Sequence, residues 1–517
     1  MGGVECPLHN RRSFLANTAA TAGALGLATS WPARALAADP PSIVVAYPSD
    51  VPSWDPIAAG ASIVSSLYQC VFDKVTDIDP EGAFGPSVGG FKWLDGEGKV
   101  LEITVRDGAT FHNGDPVTSA DIRFTFLERC RADTTLLLGA QWNPLIDDIE
   151  TPTPNRAIFR FKLPVVTAPQ LLVGPSAYIV PKAYFEKVGR DAFAENPVGS
   201  GPYKVVDWVR DSRIVLEAYD KYWGGAAPIK RVTLQIMKNV SARIAAIQAG
   251  QVDFVHNLPV REVTRLSATP GLTGNLHPIN NVLLIHMVNK GIYRDPNLRL
   301  AMHHAIDKQA LSDAFFAGQA KPLSMWEAEG LPANDPTFKF PFSLDQAKAL
   351  LAKSGYGPAN PAKIVLITLN GVFPNDYDMA RALVQMWKAV NIEAELRVME
   401  LPEYSDMSRS DKLDAPALYS WTNSTGDPES YSGTLLDPSK RNSVWKSDDV
   451  LPRLQPLYRE PDYAKRMAGY RALDRWVVEQ GYAVPILQGV GTPVFTKRLR
   501  YVPFRSGSIL PYHWTVS

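Results

Sequence analysis

The sequence has few cysteines, no excess of charge and no long apolar run. Cysteine accounts for 3 of 517 residues, and Lys+Arg and Asp+Glu both count 53. Balanced charge gives no electrostatic argument for a nucleic-acid partner, which would require a basic face. The weakly apolar stretch near the N-terminus, residues 16–29, is interrupted by Thr and Gly. It is also shorter than the roughly 20 residues that a membrane span needs.

The common catalytic signatures are absent as well. The chain contains no HExxH, no GxSxG, no P-loop and no dinucleotide-binding fingerprint. His303 and His304 are adjacent, and neighbouring helical residues point about 100° apart, so the two cannot share one metal ion unaided. We therefore expect one of them to be buried and the other exposed. Because the catalytic and metal-binding signatures are missing, we also predict no enzymatic activity, no cofactor and no metal.

The composition is that of a soluble globular protein with more than one core. Hydrophobic residues make up 45% of the chain and charged residues 21%. These values argue against wholesale disorder. A chain of 517 residues is too long for a single hydrophobic core, so we expect two or three domains.

The N-terminus has the pattern of an export signal. Arg11 and Arg12 are followed by Ser13-Phe14-Leu15, then by a weakly apolar stretch and by a small-x-small site ending at Ala37. This order is typical of a twin-arginine signal. No cysteine sits at the cleavage site, so we expect a mature chain free in the periplasm and not a lipoprotein.

Cys70 and Cys130 would remain after cleavage. An oxidising compartment permits a disulfide between them. Two separate buried thiols are an equally good interpretation, because free cysteine behaves as a small apolar residue.

Strand and helix patterns alternate along the chain, which predicts an α/β protein. The clearest unit lies late: a strand at 363–369, a helix at 376–390 and a strand at 392–398. A strand, helix and strand at this spacing predict a parallel pair joined by a right-handed crossover. Thr118 with Asp121, and Ser343 with Gln346, have the spacing of helix N-terminal capping pairs.

Five segments resemble one known family and occur in that family's order. They are VRDGATFHNGDPVTSAD at 105–121, NPVGSGPY at 196–203, the segment 216–224, QAGQVD at 248–253 and LRLAMHHAIDK at 298–308. Together they resemble the extracellular solute-binding protein family 5, the class that serves dipeptide, oligopeptide and nickel ABC transporters. Most of these residues are structural. His112 falls in a turn, and Gly199 in a motif where close backbone approach is expected.

The resemblance implies a two-lobed periplasmic binding protein of type II with an extra subdomain in its first lobe. We expect a signal at 1–37, lobe one at 38–285 with a subdomain at about 80–190, lobe two at 286–490 and a C-terminal return at 491–517. Crossings near 285–292 and 485–492 would form the hinge. The implied function is capture of a peptide-like or other small polar ligand by a monomer, which then docks on an ABC permease in the inner membrane.

Residues 421–431 are the best candidate ligand segment. They combine an aromatic ring, amides, hydroxyls and a carboxylate in a Gly- and Pro-containing loop, which is where binding residues concentrate. The resemblance implies that Asp427 accepts an amine of the ligand. The alternative is that Asp427-Pro428 forms a turn. Trp421, Asn423 and Tyr431 are further candidates, although the aromatic rings suit a core equally well.

Two other segments contribute candidates. Gly60, Ala61 and Ser62 follow the first strand, where the family brings backbone to the ligand; Ser62 suits a helix N-cap equally well. Phe373 lies in the segment 370–377, from which dipeptide binders of the family present an arginine. This chain has no arginine there. A free dipeptide held at both termini is therefore disfavoured.

Two other functions compete with transport. An exported hydrolase on the same scaffold would need an activated nucleophile or a paired acid and base, and the sequence shows neither. A periplasmic protein that holds peptides or docks on a sensor would lack a permease partner. We expect capture without chemistry.

Overall fold

The structure is a computed structural model that describes residues 40–517 apart from 59–63, 175–176, 370–372, 374, 424 and 441. None of the described helices is both long and apolar enough to cross a bilayer. The predicted export signal and the cleavage site near Ala37 lie outside the described residues.

The strands form sheets that divide the chain into two lobes. The strands are β1 Ser42–Tyr47, β2 Thr76–Ile78, β3 Phe84–Pro86, β4 Gly89–Trp93, β5 Val100–Val105, β6 Ile146–Thr153, β7 Arg156–Phe161, β8 Tyr203–Val209, β9 Arg213–Ala218, β10 Arg231–Ile236, β11 Phe254–Val255, β12 Leu272–Gly274, β13 His277–His286, β14 Ala362–Leu369, β15 Ile392–Met399, β16 Ala417–Thr422, β17 Ala483–Gly491, β18 Val494–Thr496, β19 Leu499–Arg500 and β20 Thr515–Val516.

Helices cover the sheet faces. The α-helices are α1 Ser65–Val71, α2 Ser119–Arg123, α3 Arg129–Ala132, α4 Leu137–Trp142, α5 Ala168–Leu171, α6 Lys182–Val188, α7 Arg190–Glu195, α8 Val240–Gln248, α9 Val260–Ser267, α10 Pro296–His304, α11 Lys308–Phe316, α12 Leu344–Lys353, α13 Asp376–Lys388, α14 Leu401–Arg409, α15 Ser432–Leu436, α16 Leu451–Leu454 and α17 Tyr463–Glu479. A π-helical turn, Phe124–Glu128, joins α2 to α3.

Lobe one is the part built on a seven-stranded sheet with the order β12-β18-β11-β1-β10-β9-β8. Its central strand β1 runs parallel to both β10 and β11. A separate four-stranded sheet, β4-β5-β7-β6, packs into the same hydrophobic core. In the chain, the candidates Gly60, Ala61 and Ser62 come after the carboxyl end of β1, but they lie outside the described residues.

Lobe two is the part built on a five-stranded sheet with the order β15-β14-β16-β13-β17. Strand β14 pairs in parallel with both β15 and β16. The predicted strand, helix and strand unit is confirmed as β14, α13 and β15. Its prediction succeeded because Met379, Leu383 and Trp387 form an apolar stripe at helical spacing, and all three are fully buried.

The chain passes between the two large sheets twice. The first change of sheet falls between β12 and β13, and the second between β17 and β18. The first precedes the expected crossing near 285–292, because β13 is one continuous strand in the lobe-two sheet from His277 to His286. The second adjoins the expected crossing near 485–492.

Two predicted capping pairs are present. Thr118 and Asp121 form a reciprocal capping box at the start of α2. Ser343 Oγ accepts the backbone N–H of Gln346 at 3.2 Å at the start of α12. Each pair satisfies N–H groups that a helix N-terminus leaves without an intrahelical partner.

The two cysteines are separate buried thiols. Neither Cys70 nor Cys130 forms a disulfide. Burial raises the pKa of each thiol to about 12, which makes both unreactive at neutral pH. Of the two interpretations that the sequence left open, two separate buried thiols is the one that the structure supports.

The histidines in the segments that resemble the family make structural contacts. His112 lies 3.0 Å from the Gly201 carbonyl through Nε2, and its Nδ1 accepts the Gly199 N–H at 3.2 Å. A Cβ on Gly199 would lie 2.0 Å from the Val71 carbonyl oxygen, so the close approach requires glycine. His303 is buried and His304 half-buried; the rings of both stack on Phe340.

Candidate functional site

The candidate site lies at the carboxyl ends of parallel strands. In open α/β sheets, ligands bind in the crevice outside these ends. In lobe two, β14 and β16 are parallel neighbours, so the segments that follow Leu369 and Thr422 emerge at the same edge. These are the two lobe-two segments that the sequence singled out. We call residues 421–431, without Ser424, the ligand loop.

Asn423 holds the ligand loop together from inside. Its side chain is 1% exposed. Its Nδ2 donates to Glu327 Oε1 at 2.9 Å, and its Oδ1 accepts the Ser430 hydroxyl at 3.0 Å. The Asn423 backbone N–H donates to the Asn280 carbonyl of β13 at 3.1 Å. The amide therefore faces the protein in this structure, and its predicted contact with a ligand stays a prediction.

Asp427 forms a buried ion pair with Arg466 of α17. The guanidinium donates to Oδ1 at 2.9 Å and to Oδ2 at 2.6 Å, and both side chains are 3% exposed. Oδ1 also accepts the N–H of Glu429 at 3.0 Å, which caps a short 3₁₀ turn. A bidentate guanidinium–carboxylate pair fixes direction as well as distance. Asp427 therefore ties the ligand loop to α17, and any bond to a ligand amine would be additional to these contacts.

The candidate aromatic residues occupy different environments. Trp421 is half-buried at the end of β16. Tyr431 is fully buried and meets Trp326 edge to face at 5.0 Å between ring centroids. Phe373 is 8% exposed and belongs to the lobe-two core. Trp421 is thus the ring among the three that is best placed to reach a ligand.

Two buried acids lie behind the ligand loop. Burial, together with the nearby negative charges of Asp474 and Asp427, raises the pKa of Glu327 to about 8. Burial also raises the pKa of Asp474 to about 7, opposed by hydrogen bonds from Ser432 and Trp326. Ser432 Oγ donates to Asp474 Oδ1 at 2.6 Å.

The ligand loop is also a place where the two lobes meet. A Cβ built on Gly426 would lie 3.5 Å from the carbonyl oxygen of Gly82, in the turn between β2 and β3. Glu429 is hydrogen-bonded to Thr167 of lobe one, which opposes the rise that burial imposes on the pKa of Glu429. Through these contacts, lobe one packs against the ligand loop of lobe two.

Lobe one has its own anchored segment after β1. Arg129 of α3 donates to Asp55 Oδ1 at 3.2 Å and Oδ2 at 2.7 Å, and the side chains are 7% and 1% exposed. Gly60, Ala61 and Ser62 follow this anchor but lie outside the described residues. Helix α1 begins at Ser65.

Sequence reasoning missed Arg466, Asp474 and Glu327. A signal for the first two was present in the apolar stripe of α17, which includes Met467, Tyr470, Leu473, Val477 and Val478. Arg466 and Asp474 lie on that stripe and are buried with it. A charged residue on the apolar face of a helix requires a buried partner. Glu327 has no such local pattern.

The described residues contain no group of three or more His, Cys, Asp or Glu side chains that could hold a metal ion. Arg381, the arginine nearest to the segment 370–377, lies on α13 with 65% of its side chain exposed and 3.7 Å from Asp378. It is a surface residue of the helix and not a clamp at the strand edge.

Comparisons with known proteins establish the family. Residues 25–443 match the family described as bacterial extracellular solute-binding proteins, family 5 Middle. The chain belongs to this family of solute-binding proteins, as the motifs indicated.

Its relatives are named for different ligands. The chain is 25% identical over 330 residues to heme-binding protein A of Haemophilus influenzae, which covers 61% of this chain and 59% of that protein. It is 23% identical over 414 residues to the dipeptide-binding protein of Escherichia coli, covering 74% and 76%. It is 25% identical over 506 residues to the periplasmic oligopeptide-binding protein of Salmonella typhimurium, covering 91% of each.

Solved structures show the same two-lobed fold. HbpA2 of Haemophilus parasuis superposes with a TM-score of 0.79 at 19% identity, over 92% of this chain and 100% of that one. The ABC transporter substrate-binding protein CtaP of Listeria monocytogenes gives a TM-score of 0.81 at 19% identity, over 92% and 99%. The predicted fold class is confirmed.

Proposed function

We propose that this chain is the periplasmic solute-binding component of an ABC importer. It captures a peptide-like or other small polar ligand between its lobes and delivers it to a permease. The observation that carries the proposal is the ligand loop, which follows a parallel strand of lobe two and meets lobe one at Gly82 and Thr167. A ligand that binds both lobes favours the closed form, because its affinity differs between the open and closed states.

Ligand release tests this function directly. Protein purified without refolding is expected to release one small polar molecule per chain when it is denatured, as identified by mass spectrometry. The protein should rebind that molecule in calorimetry and leave it chemically unchanged. Turnover of the molecule would support the exported hydrolase instead, and a pull-down without a permease would support the holding or sensor-docking alternative.

The ligand class follows from the missing arginine. Segment 370–377 has none, and Arg381 is an exposed residue of α13 that lies 3.7 Å from Asp378. We therefore propose that the ligand is not clamped through a free C-terminal carboxylate. A trialanine amide should bind as well as trialanine acid, or better, in calorimetric titrations. A strong preference for the acid would contradict this.

The role of Asp427 is tested by paired variants. If Asp427 acts through its bond to Arg466, Asp427→Asn and Arg466→Met should weaken binding of the released molecule to the same extent. If Asp427 also accepts a ligand amine, as the family resemblance implies, Asp427→Asn should weaken binding well beyond Arg466→Met. A charge-assisted bond contributes about 1.5–3 kcal/mol, roughly a tenfold to hundredfold change in Kd.

Export is part of the same proposal. Arg11 and Arg12 would direct the folded chain across the inner membrane. Changing both to lysine should leave the protein in the cytoplasm, as judged by cell fractionation, whereas changing Arg34 alone should not.

A further inference from the structure

Two acids and a tyrosine lie near one another behind the ligand loop, and a second buried tyrosine lies on the same helix as one of the acids. Glu327 is 1% exposed, and Asp474, Tyr431 and Tyr470 are fully buried. Glu327 belongs to the segment before α12, Tyr431 ends the ligand loop, and Asp474 and Tyr470 lie one turn apart on α17. Three separate parts of lobe two thus bring polar groups to one place in its core. We call Glu327 and Asp474 the acid pair.

Each member of the acid pair uses one oxygen as a support: Glu327 supports the ligand loop itself, and Asp474 supports Ser432, the residue that follows the loop. Glu327 Oε1 accepts the Asn423 amide at 2.9 Å, and Asp474 Oδ1 accepts the Ser432 hydroxyl at 2.6 Å. Their other oxygens, Oε2 and Oδ2, have no hydrogen-bond partner among the described residues, and neither do the hydroxyls of Tyr431 and Tyr470. A buried unpaired polar atom is costly, and an unpaired ionised oxygen is costlier still.

The charges around the acid pair favour a neutral form. Arg466 is the buried cation of α17, but Asp427 occupies both arms of its guanidinium. Ionised Glu327 would face the negative charges of Asp474 and Asp427, and burial adds to the penalty. Two carboxylates in one desolvated site cannot both ionise cheaply. Protonation removes a charge and converts one unpaired oxygen into a donor.

We propose that the acid pair positions the ligand loop as a proton-holding pair, and that the loop loses this support when the pair becomes fully ionised. Glu327 and Asp474 are positioning residues and do not touch the ligand. This inference rests on the proposed function only because that function assigns the ligand to the loop. The effect of the acid pair on the loop can be measured without a ligand.

Other titratable and charged groups lie on the ligand loop, on α17 and on the segments packed against them: Asp427, Glu429, Tyr431, Lys440, Tyr458, Tyr463, Arg466 and Tyr470. Burial raises the pKa of the tyrosines, so they stay neutral through the range in which the acid pair titrates. The ordinary pKa of Glu327 is 4.5 and its folded value about 8. Stability linked to this proton is therefore lost as pH rises from about 4.5 to about 8.

The first test observes the proton. Infrared difference spectra of the whole chain at pH 6 should contain the carbonyl stretch of a buried protonated carboxyl group, and Glu327→Gln or Asp474→Asn should remove intensity from it. Glu329→Gln is the matched control, because Glu329 lies two residues away with 46% of its side chain exposed. If both acid-pair variants leave this band unchanged, the pair is ionised and the proposal fails. A band that appears only after EDTA treatment would show a bound cation in place of the proton, and would also overturn it.

The second test observes the loop by hydrogen exchange. Glutamine mimics protonated glutamate, so Glu327→Gln should keep the protection of residues 421–432, whereas Glu327→Ala should lose it. The wild-type melting temperature should fall as pH rises from 5 to 8, and this fall should be smaller in Glu327→Gln than in wild type or Glu329→Gln. Equal loss of protection in the Gln and Ala variants, or an undiminished fall in Glu327→Gln, would contradict a proton-dependent role. Failure here leaves ligand capture untouched, because none of these measurements contains a ligand.

Discussion

The two lobes anchor their crevice segments with the same device in different surroundings. In lobe one, Arg129 holds Asp55 after β1, and in lobe two Arg466 holds Asp427 after β16. Both pairs are bidentate, both are buried, and each ties a loop at a strand end to a helix. A binding crevice needs rigid walls, and a buried guanidinium–carboxylate pair supplies direction as well as attachment.

The surroundings of the two pairs differ in charge. Beside Asp55, the guanidinium of Arg129 stacks on Phe185 at 3.9 Å, so the lobe-one pair is enclosed by an aromatic ring. In lobe two, burial raises the pKa of Glu327 and of Glu429, and the negative charge of Asp427 raises both as well. The lobe-one anchor is balanced, whereas the lobe-two anchor sits in a site with more acids than bases. The comparison predicts that pH acts on lobe two's loop more than on lobe one's.

Breaking either anchor should produce the largest effect. Arg129→Leu and Arg466→Leu should each lower the free energy of unfolding by about 3–5 kcal/mol, because each leaves an unpaired buried carboxylate. Urea unfolding at neutral pH measures this. If Arg466→Leu left the free energy of unfolding nearly unchanged, the Asp427–Arg466 pair would not anchor the loop. The two lobes would then not share the same anchoring device.

The next largest effect should come from alkaline pH, which we expect to act on the loop of lobe two more than on that of lobe one. As pH rises through about 8, wild-type affinity for the molecule released from the protein should fall because Glu327 ionises beneath the ligand loop. Glu327→Gln should flatten this dependence, as measured by calorimetry between pH 6 and pH 9. An unchanged pH profile in the variant would place the titrating group elsewhere.

A smaller effect is expected at the contact between lobes. Thr167→Val removes the hydroxyl bonded to Glu429. A typical intramolecular hydrogen bond contributes about 0.5–1.5 kcal/mol, or roughly a twofold to tenfold change in Kd. Thr76→Val is the matched control, since the Thr76 hydroxyl donates to Pro169 within lobe one at 2.8 Å. We expect Thr167→Val to weaken binding and Thr76→Val to lower stability only. Equal effects on binding would mean that the Thr167 contact does not report closure.

Surface ion pairs should show the smallest effect. Arg475 and Glu479 are one turn apart on α17, with side chains 54% and 43% exposed. Exposed pairs of this spacing contribute about 0.3–0.5 kcal/mol. Arg475→Ala should therefore barely change the urea midpoint, and a loss comparable to that of Arg466→Leu would show that position on α17, not burial, sets the effect.

Local patterns in the sequence predicted the local parts of the fold. The β14, α13 and β15 unit and the capping residues Thr118 and Ser343 each depend on neighbours a few positions away. The family motifs added the two-lobed arrangement, which no single window of sequence could supply.

The site was harder to predict from the sequence, because its contacts join distant parts of the chain. Asp427 and Arg466 are 39 positions apart, and Asn423 and Glu327 are 96 apart. Asp427 was correctly placed in a loop, but its partner could be inferred only from a charge on the apolar face of α17. The candidates Gly60, Ala61 and Ser62 lie outside the described residues, so their contact with a ligand stays a prediction.

Small-angle X-ray scattering tests the central claim, capture between two lobes, most directly. The chain would be stripped of its ligand and measured with and without the molecule that the purified protein releases. We predict a smaller radius of gyration when the molecule is added, a change that Arg466→Leu should reduce. A radius of gyration that is identical with and without saturating ligand would contradict closure of the lobes around it.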